Sequence, residues 1–234
     1  MLVAASTKEP TEEAVEAFLG QLKQSEKQLQ IIVVSGASSS LAQQILAGAP
    51  ADVFVSANPK WSEAVASQGR PADPLLSNRL VVATHRRNAR IASVSDLGQP
   101  GVRSIAIGGD SVPVGEYARQ AIEKLPAELR SSIKARLVFG KDSSALVAWL
   151  ENGEADAGFV YASDLVRSSD LIEVPGIESG FHDPIIYSVV NLTATDSPNC
   201  AAADQFLAWL GSEEATAIYR DAGFGAETNI DETK

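Results

Sequence analysis

The sequence predicts an α/β protein, because short apolar runs alternate with amphipathic stretches along its whole length. A run such as residues 31–34 is strand-sized, and none approaches the roughly 18 apolar residues that a membrane-spanning helix needs. With 234 residues, of which 45% are hydrophobic, the chain can bury the core of one large domain or two modest ones. The sequence contains no repeat of fixed period and no low-complexity tract, which excludes a solenoid.

The elements follow from the spacing of apolar residues, taken in chain order. Strands are predicted where a short apolar run is bounded by turn residues, over residues 2–5, 29–34, 53–56, 79–84, 104–107, 135–139, 157–160 and 185–192. Helices are predicted where apolar residues recur every three or four positions, over residues 11–24, 41–47, 59–67, 114–124, 143–151, 162–167 and 201–210. Their interleaving favours mostly parallel sheets flanked by helices.

Charge and cysteine content exclude several classes of partner. The net charge is −11, and the acidic residues are spread along the chain. A nucleic-acid partner would call for a basic face, so none is expected. Cys200 is the only cysteine, so it forms no internal disulfide, and an idle thiol is the favoured interpretation.

Several predicted helices begin directly after a strand and a turn of small residues, at positions 5–7, 36–40, 108–113 and 141–144. In an open α/β sheet such turns lie at the carboxyl ends of the strands, where ligands bind. Helix starts present unpaired N–H groups and about half a positive charge each, so they can bind an anion without a cationic side chain. A serine there either caps its helix or donates to a ligand, and for any single turn both interpretations stay open.

Six strings occur in the same order and with matching gaps as the motifs of one family. They are VAAS at 3–6, GASSSLAQQI at 36–45, GAPADVFVSA at 48–57, SNRLVVA at 77–83, SVPVGEYA at 111–118 and AGFVYASD at 157–164. Together they resemble the periplasmic molybdate-binding proteins of bacterial ABC importers, and the similarity covers nearly the whole chain.

The resemblance implies an oxyanion site made of two serine hydroxyls, backbone N–H groups and a tyrosine hydroxyl. Residue by residue, it falls on the hydroxyls of Ser6, Ser38 and Tyr161 and on the main chain of Val114 and Ser143. Ser39 is one step from Ser38 and stays open as the alternative. Taken alone, Tyr161 would be read as a packing residue after an apolar strand, and only the family spacing favours the ligand role.

Departures from the family pattern concern the residues around this site. Ser6 is followed by Thr7-Lys8-Glu9-Pro10, with Pro10 compatible with a first helical turn. Asp110 and Asp142 flank the expected site. Both carboxylates are expected to cap a helix or point outward, because a carboxylate that faces the anion would contradict the interpretation.

The resemblance also implies a two-lobed, type II periplasmic-binding-protein-like fold with the ligand in the cleft between the lobes. Lobe 1 would comprise residues 1–80 and 190–234, and lobe 2 residues 81–189, with a hinge near 79–84 and 184–190. Such a protein captures molybdate or tungstate with neutral N–H and O–H donors, uses no cofactor and is not an enzyme.

The expected partner is the membrane permease of an ABC importer, and the protein is expected to be a monomer. The expected location is the periplasm, after removal of an export leader, either free or lipid-anchored to the membrane. Alternatives are a binding protein for another oxyanion such as sulfate, and a serine hydrolase suggested by the Ser-x-x-Lys spacing of Ser131 and Lys134. The hydrolase lacks a Gly-x-Ser-x-Gly elbow, and only His85 and His182 exist as bases.

Overall fold

The computed structural model describes residues 1–22, 29–70, 73–88 and 90–226. The chain divides into two compact units. Unit 1 comprises Met1–Ser77 and Ile186–Lys234, and unit 2 comprises Asn78–Ile185. The lobe boundaries and the hinge implied by the family resemblance stay predictions.

Strands and helices alternate through both units. In chain order they are β1 (Leu2–Ala4), α1 (Lys8–Leu22), β2 (Val34–Gly36), α2 (Ser38–Leu46), β3 (Val53–Ser56), α3 (Pro59–Ala66), β4 (Asp73–Asn78), β5 (Leu80–His85), β6 (Ile105–Gly108), α4 (Pro113–Lys124), α5 (Ala127–Lys134), β7 (Leu137–Gly140), α6 (Ser143–Glu151), β8 (Ala157–Tyr161), α7 (Ala162–Val166), β9 (Leu171–Val174), β10 (Ile185–Asn191), α8 (Cys200–Leu210), α9 (Glu213–Asp221) and β11 (Gly225–Ala226). Short 3-10 turns cover Ala5–Thr7, Val94–Gly98 and Ser179–Phe181.

The sheet of unit 1 has the order β11-β4-β10-β3-β1-β2. Strand β1 lies between β3 and β2 and is parallel to both, whereas β10 runs antiparallel to β3. Successive side chains of a strand point to opposite faces, and so Leu2 packs with Phe54 and Leu41 on one face while Val3 packs with Val55 on the other. Strands β1 and β3 are therefore buried on both faces, which explains their continuous apolar runs in the sequence.

The sheet of unit 2 has the order β7-β6-β8-β5-β9. Here β6 is parallel to both β7 and β8, and β5 runs antiparallel to β8 and β9. Helix α4 packs on β6, and α6 packs on β6 and β8. Each unit thus contains three adjacent parallel strands, with the first of the three in the middle.

The α/β class is confirmed, but the sheets are mixed where mostly parallel sheets were expected. A parallel pair needs a crossover connection, usually a helix, whereas β4 and β5 follow each other directly and join different sheets. Strand β9 was not predicted, because it is a short edge strand with its two middle residues exposed. Apolar periodicity reports that a strand exists and does not report its direction.

Several predicted boundaries were wrong by a few residues. The strand expected over 29–34 begins only at Val34, because its partner β1 has three residues and pairs with Val34, Ser35 and Gly36. Helix α1 begins at Lys8, three residues before the predicted start, and its predicted end at 24 lies outside the described residues. Helix α2 begins at Ser38 instead of residue 41, which places the candidate serines inside its first turn.

Helices α5 and α9 were missed, because both are mostly polar and bury only one and two residues respectively. No helix within the described ranges is both long enough and apolar enough to cross a membrane.

Candidate functional site

In unit 1, the candidate serines lie at the edge of the sheet where three parallel strands end. Ser6 lies in the 3-10 turn that follows β1, and Ser38 is the first residue of the helix that follows β2. Ala57 follows the last residue of β3. The backbone N–H of Ala57 donates to Ser38 Oγ at 3.0 Å, so the turns after β2 and β3 meet at this carboxyl edge.

Ser38 holds this edge of the sheet together by accepting a hydrogen bond with its side chain. Its side chain is 1% exposed, and its oxygen acts as the acceptor for Ala57. A hydroxyl carries one proton and two lone pairs, so this bond leaves the proton of Ser38 available to another acceptor. The N-cap residue Ala37 supplies no side-chain cap, so the first turn of α2 offers backbone N–H groups at the same place.

Ser6 contacts a residue that the sequence analysis did not select. Its Oγ lies 2.8 Å from the hydroxyl of Tyr187, and both side chains are buried. Tyr187 lies near the start of β10, and because β10 is antiparallel to β3, with Ser188 opposite Ser56, this start reaches the edge where β3 ends. The signal that could have found it was a tyrosine near the start of the strand predicted over residues 185–192.

In unit 2, the remaining candidates follow three parallel strands in the same way. Strands β6 and β7 end in register, with Gly108 opposite Gly140, and β8 runs parallel beside β6. Val114 lies in the first turn of the helix after β6, Ser143 begins the helix after β7, and Tyr161 is the last residue of β8. The three candidates of unit 2 therefore share one carboxyl edge.

The start of α4 is packed directly against the end of β6. A Cβ added to Gly115 would lie 2.1 Å from the carbonyl oxygen of Gly108, so only glycine permits this approach. The guanidinium of Arg119 donates to the carbonyl oxygens of Gly108 and Gly109, at 3.1 and 2.6 Å. These contacts fix the position of Val114, whose N–H belongs to the first helical turn and has no acceptor within the helix.

The two carboxylates that flank the candidates behave as expected. Asp142 is the N-cap of α6, and its Oδ1 accepts from the N–H of Ala145 at 2.9 Å. The Asp110 side chain is 99% exposed and lies 3.6 Å from the guanidinium of Arg119. Asp142 is therefore a helix cap and Asp110 points to solvent.

Tyr161 is held in place through its own backbone. Its N–H donates to Oδ2 of Asp164 at 2.9 Å, which ties the end of β8 to the first turn of α7. Arg167 lies 3.9 Å from the same carboxylate group. In the part of the chain that the structure describes, Asp164 is the only buried charged side chain, so the buried polar groups are otherwise neutral.

The residues of the hydrolase alternative are not assembled for catalysis. The Ser131 hydroxyl donates to the carbonyl oxygen of Ala127 at 2.9 Å, and Lys134 pairs with Glu123, whose pKa this hydrogen bond lowers. His85 accepts a backbone hydrogen bond through Nδ1. No group of three or more metal-ligating side chains occurs among the residues described.

Comparisons with known proteins identify what the chain is similar to. A family model described as bacterial extracellular solute-binding protein matches residues 1–225. The molybdate-binding protein of Haemophilus influenzae is 31% identical over 208 residues, which cover 85% of this chain and 80% of that protein. The molybdate-binding protein of Escherichia coli is 30% identical over 210 residues, which cover 85% and 79%.

A solved structure supports the same assignment at the level of the fold. The periplasmic molybdate-binding protein of Azotobacter vinelandii matches with a TM-score of 0.75 over 95% of this chain and 97% of that one, at 24% sequence identity. This likeness confirms the periplasmic-binding-protein-like fold that the motifs implied.

Proposed function

We propose that this chain, which belongs to the family of bacterial extracellular solute-binding proteins, is the component of an ABC importer that captures molybdate or tungstate. The observation that carries the proposal is the geometry of Ser38, a buried hydroxyl whose oxygen accepts from the Ala57 N–H, so that its proton can be donated to a ligand. The names of the relatives from Haemophilus influenzae and Escherichia coli support molybdate as the ligand.

We further propose that five residues contact the oxyanion. The hydroxyls of Ser6, Ser38 and Tyr161 and the backbone N–H groups of Val114 and Ser143 would donate to it, as the family resemblance implies. The burial of all five residues supports this assignment, because a donor inside the protein forms a stronger hydrogen bond to an anion than one in water. Ser38 is preferred to Ser39 because its oxygen is the one hydrogen-bonded to the turn after β3.

Donors of this kind suit a dianion that carries no proton. Helices α2, α4 and α6 each present the positive end of their dipole at the carboxyl edge of a sheet. An anion that carried its own proton would point that proton at another donor, leaving both groups without an acceptor. Sulfate has the same charge and shape as molybdate and is smaller, so pocket size would discriminate between them.

We also propose the hinged behaviour that the family resemblance implies, in which contacts with the ligand stabilise a closed state relative to an open one. The loaded protein would deliver its ligand to a membrane permease. We propose that it does so in the periplasm, as a monomer and without chemistry of its own.

Calorimetric titration of the purified protein with molybdate, tungstate, sulfate and phosphate tests this function. We expect tight one-to-one binding of molybdate and tungstate, and much weaker binding of sulfate and phosphate. A preference for sulfate would keep the neutral-donor site but refute the molybdate assignment. The absence of detectable binding with all four anions would refute the oxyanion site itself.

A further inference from the structure

The contact between Ser6 and Tyr187 gives a proposed ligand residue a buried partner in its own unit. The two oxygens lie 2.8 Å apart, and either hydroxyl can be the donor. Tyr187 is fully buried, so its phenol contributes to the interior of unit 1 and not to the surface. The partner of a ligand hydroxyl decides which way the proton of that hydroxyl points.

Tyr187 is itself held by an aromatic support. Its ring lies edge-on to Phe224, with centroids 5.3 Å apart, and Phe224 lies edge-on to Tyr219 at 6.1 Å. The Tyr219 hydroxyl in turn lies 3.1 Å from Oγ1 of Thr11, in the first turns of α1. The support leaves the Tyr187 ring little freedom to move away from Ser6, since close-packed rings resist displacement.

The number of protons on the two hydroxyls indicates which of them donates when an oxyanion is bound. Ser6 has one proton, and donation to an oxyanion uses it. Ser6 can still accept, and a hydroxyl that accepts a hydrogen bond becomes a better donor. A phenol at 2.8 Å is well placed to supply that hydrogen bond.

We infer that Tyr187 is a positioning residue for oxyanion binding, whose hydroxyl donates to Ser6 Oγ and thereby directs the Ser6 proton to the ligand. This inference rests on the proposed function, in which Ser6 donates to the oxyanion. Tyr187 acts through Ser6, and the aromatic support keeps it in reach. No atom of the ligand needs to touch Tyr187 for this role.

The first test compares two buried phenols in the same unit by calorimetric titration with molybdate. Tyr187→Phe removes the hydroxyl that contacts Ser6. Tyr219→Phe removes only a hydroxyl that contacts Thr11 and keeps the ring that packs against Phe224. We expect Tyr187→Phe to weaken molybdate binding by about three- to ten-fold, as loss of one neutral buried hydrogen bond does. Tyr219→Phe should leave the affinity unchanged, and equal weakening in both variants would overturn the inference.

A double-mutant cycle with Ser6→Ala distinguishes positioning from general loosening. If Tyr187 acts through Ser6, Tyr187→Phe should have no further effect on affinity once Ser6 is alanine. An undiminished effect of Tyr187→Phe in that background would overturn the inference. A Tyr187→Phe variant that binds molybdate as tightly as the wild type would also overturn the inference, but would leave the proposed function intact.

A conservative replacement covers the case in which Tyr187→Phe does not fold. Incorporation of 3-fluorotyrosine at position 187 nearly preserves the shape and makes the phenol a stronger donor. Affinity for molybdate should then be equal to or higher than that of the wild type, and a fall would overturn the assigned direction of the hydrogen bond. A wild-type protein that binds no oxyanion refutes the proposed function and this inference with it.

Discussion

Replacing Ser38 by alanine separates the two tasks assigned to its hydroxyl. The oxygen accepts from the Ala57 N–H, and the proton is proposed to bind the oxyanion. Ser38→Ala removes both, so affinity and stability should fall together. The two effects are measured by different assays and have different controls.

The expected magnitudes follow from the kind of hydrogen bond lost. A hydrogen bond to a charged ligand contributes about 1.5–3 kcal/mol, which corresponds to a Kd raised about 10- to 150-fold. In the free protein, the buried N–H of Ala57 loses the Ser38 acceptor, and the free energy of unfolding should fall by about 1–3 kcal/mol. The protein should remain folded, because domains of this size have about 5–15 kcal/mol of stability.

Two serine variants control this experiment. Ser62 is also buried and donates to the Pro59 carbonyl oxygen at 2.8 Å in α3, so Ser62→Ala should lower stability and leave the Kd unchanged. Ser39→Ala tests the neighbouring register and should change the Kd by less than about three-fold, since hydrogen bonds to the ligand are assigned to Ser38. Kd is measured by calorimetric titration with molybdate, and stability by urea unfolding without ligand.

The assignment of Ser38 would be refuted by a Ser39→Ala variant that loses affinity while Ser38→Ala keeps it. A Ser38→Ala variant with unchanged Kd and reduced stability would show that Ser38 only holds the turn after β3. Unchanged stability would contradict the hydrogen bond to Ala57 itself.

Three further predictions concern backbone approach, pH and burial. Gly115→Ala should destabilise unit 2 and weaken molybdate binding, because the new Cβ would lie 2.1 Å from the Gly108 carbonyl oxygen. The control Gly20→Ala, in open space on α1, should be neutral or stabilising by up to about 1 kcal/mol. Similar thermal unfolding of the two variants would contradict the close approach. Molybdate affinity should stay constant between about pH 6 and 8, because none of the proposed donors titrates there, and a histidine-like dependence in the titrations would refute a site of neutral donors. Burial raises the pKa of Tyr219 from 10.0 to about 12, so the folded protein keeps a proton that the unfolded chain releases. Stability measured by denaturant unfolding should therefore be unaffected by this group below pH 10 and fall as the pH rises towards 12, and a Tyr219→Phe variant with the same alkaline slope would contradict this account.

The sequence predicted the class of the fold and most of its core elements. Strands such as β3 and β8 are apolar on both faces, and helices such as α4 have a regular apolar stripe, so local pattern identified them. The mixed direction of the sheets did not follow from pattern, because an antiparallel pair such as β10 with β3 joins segments more than 130 residues apart. Pairing over such a distance depends on which surfaces remain to be buried when the rest has folded.

The candidate site was predicted only where the family resemblance reached it. Position after a strand and before a helix selected the turns at 5–7, 36–40, 108–113 and 141–144. The family resemblance then assigned the individual residues, which are Ser6, Ser38, Val114, Ser143 and Tyr161. Neither signal indicated Tyr187, whose importance comes from an antiparallel strand far along the chain that begins beside the turn after β1.

What the sequence alone determined is the chemistry available to this protein. It has neutral donors at helix starts that can bind an anion without a cationic side chain, and motifs that assign it to the solute-binding family. What only the tertiary structure decided is the use made of each donor. The Ser38 oxygen accepts from the Ala57 N–H, the Asp142 carboxylate caps helix α6, and the Ser6 hydroxyl lies against the hydroxyl of Tyr187. The physical reason is that a hydrogen bond depends on distances of about 3 Å between groups brought together from distant parts of the chain, and local sequence contains no record of those distances.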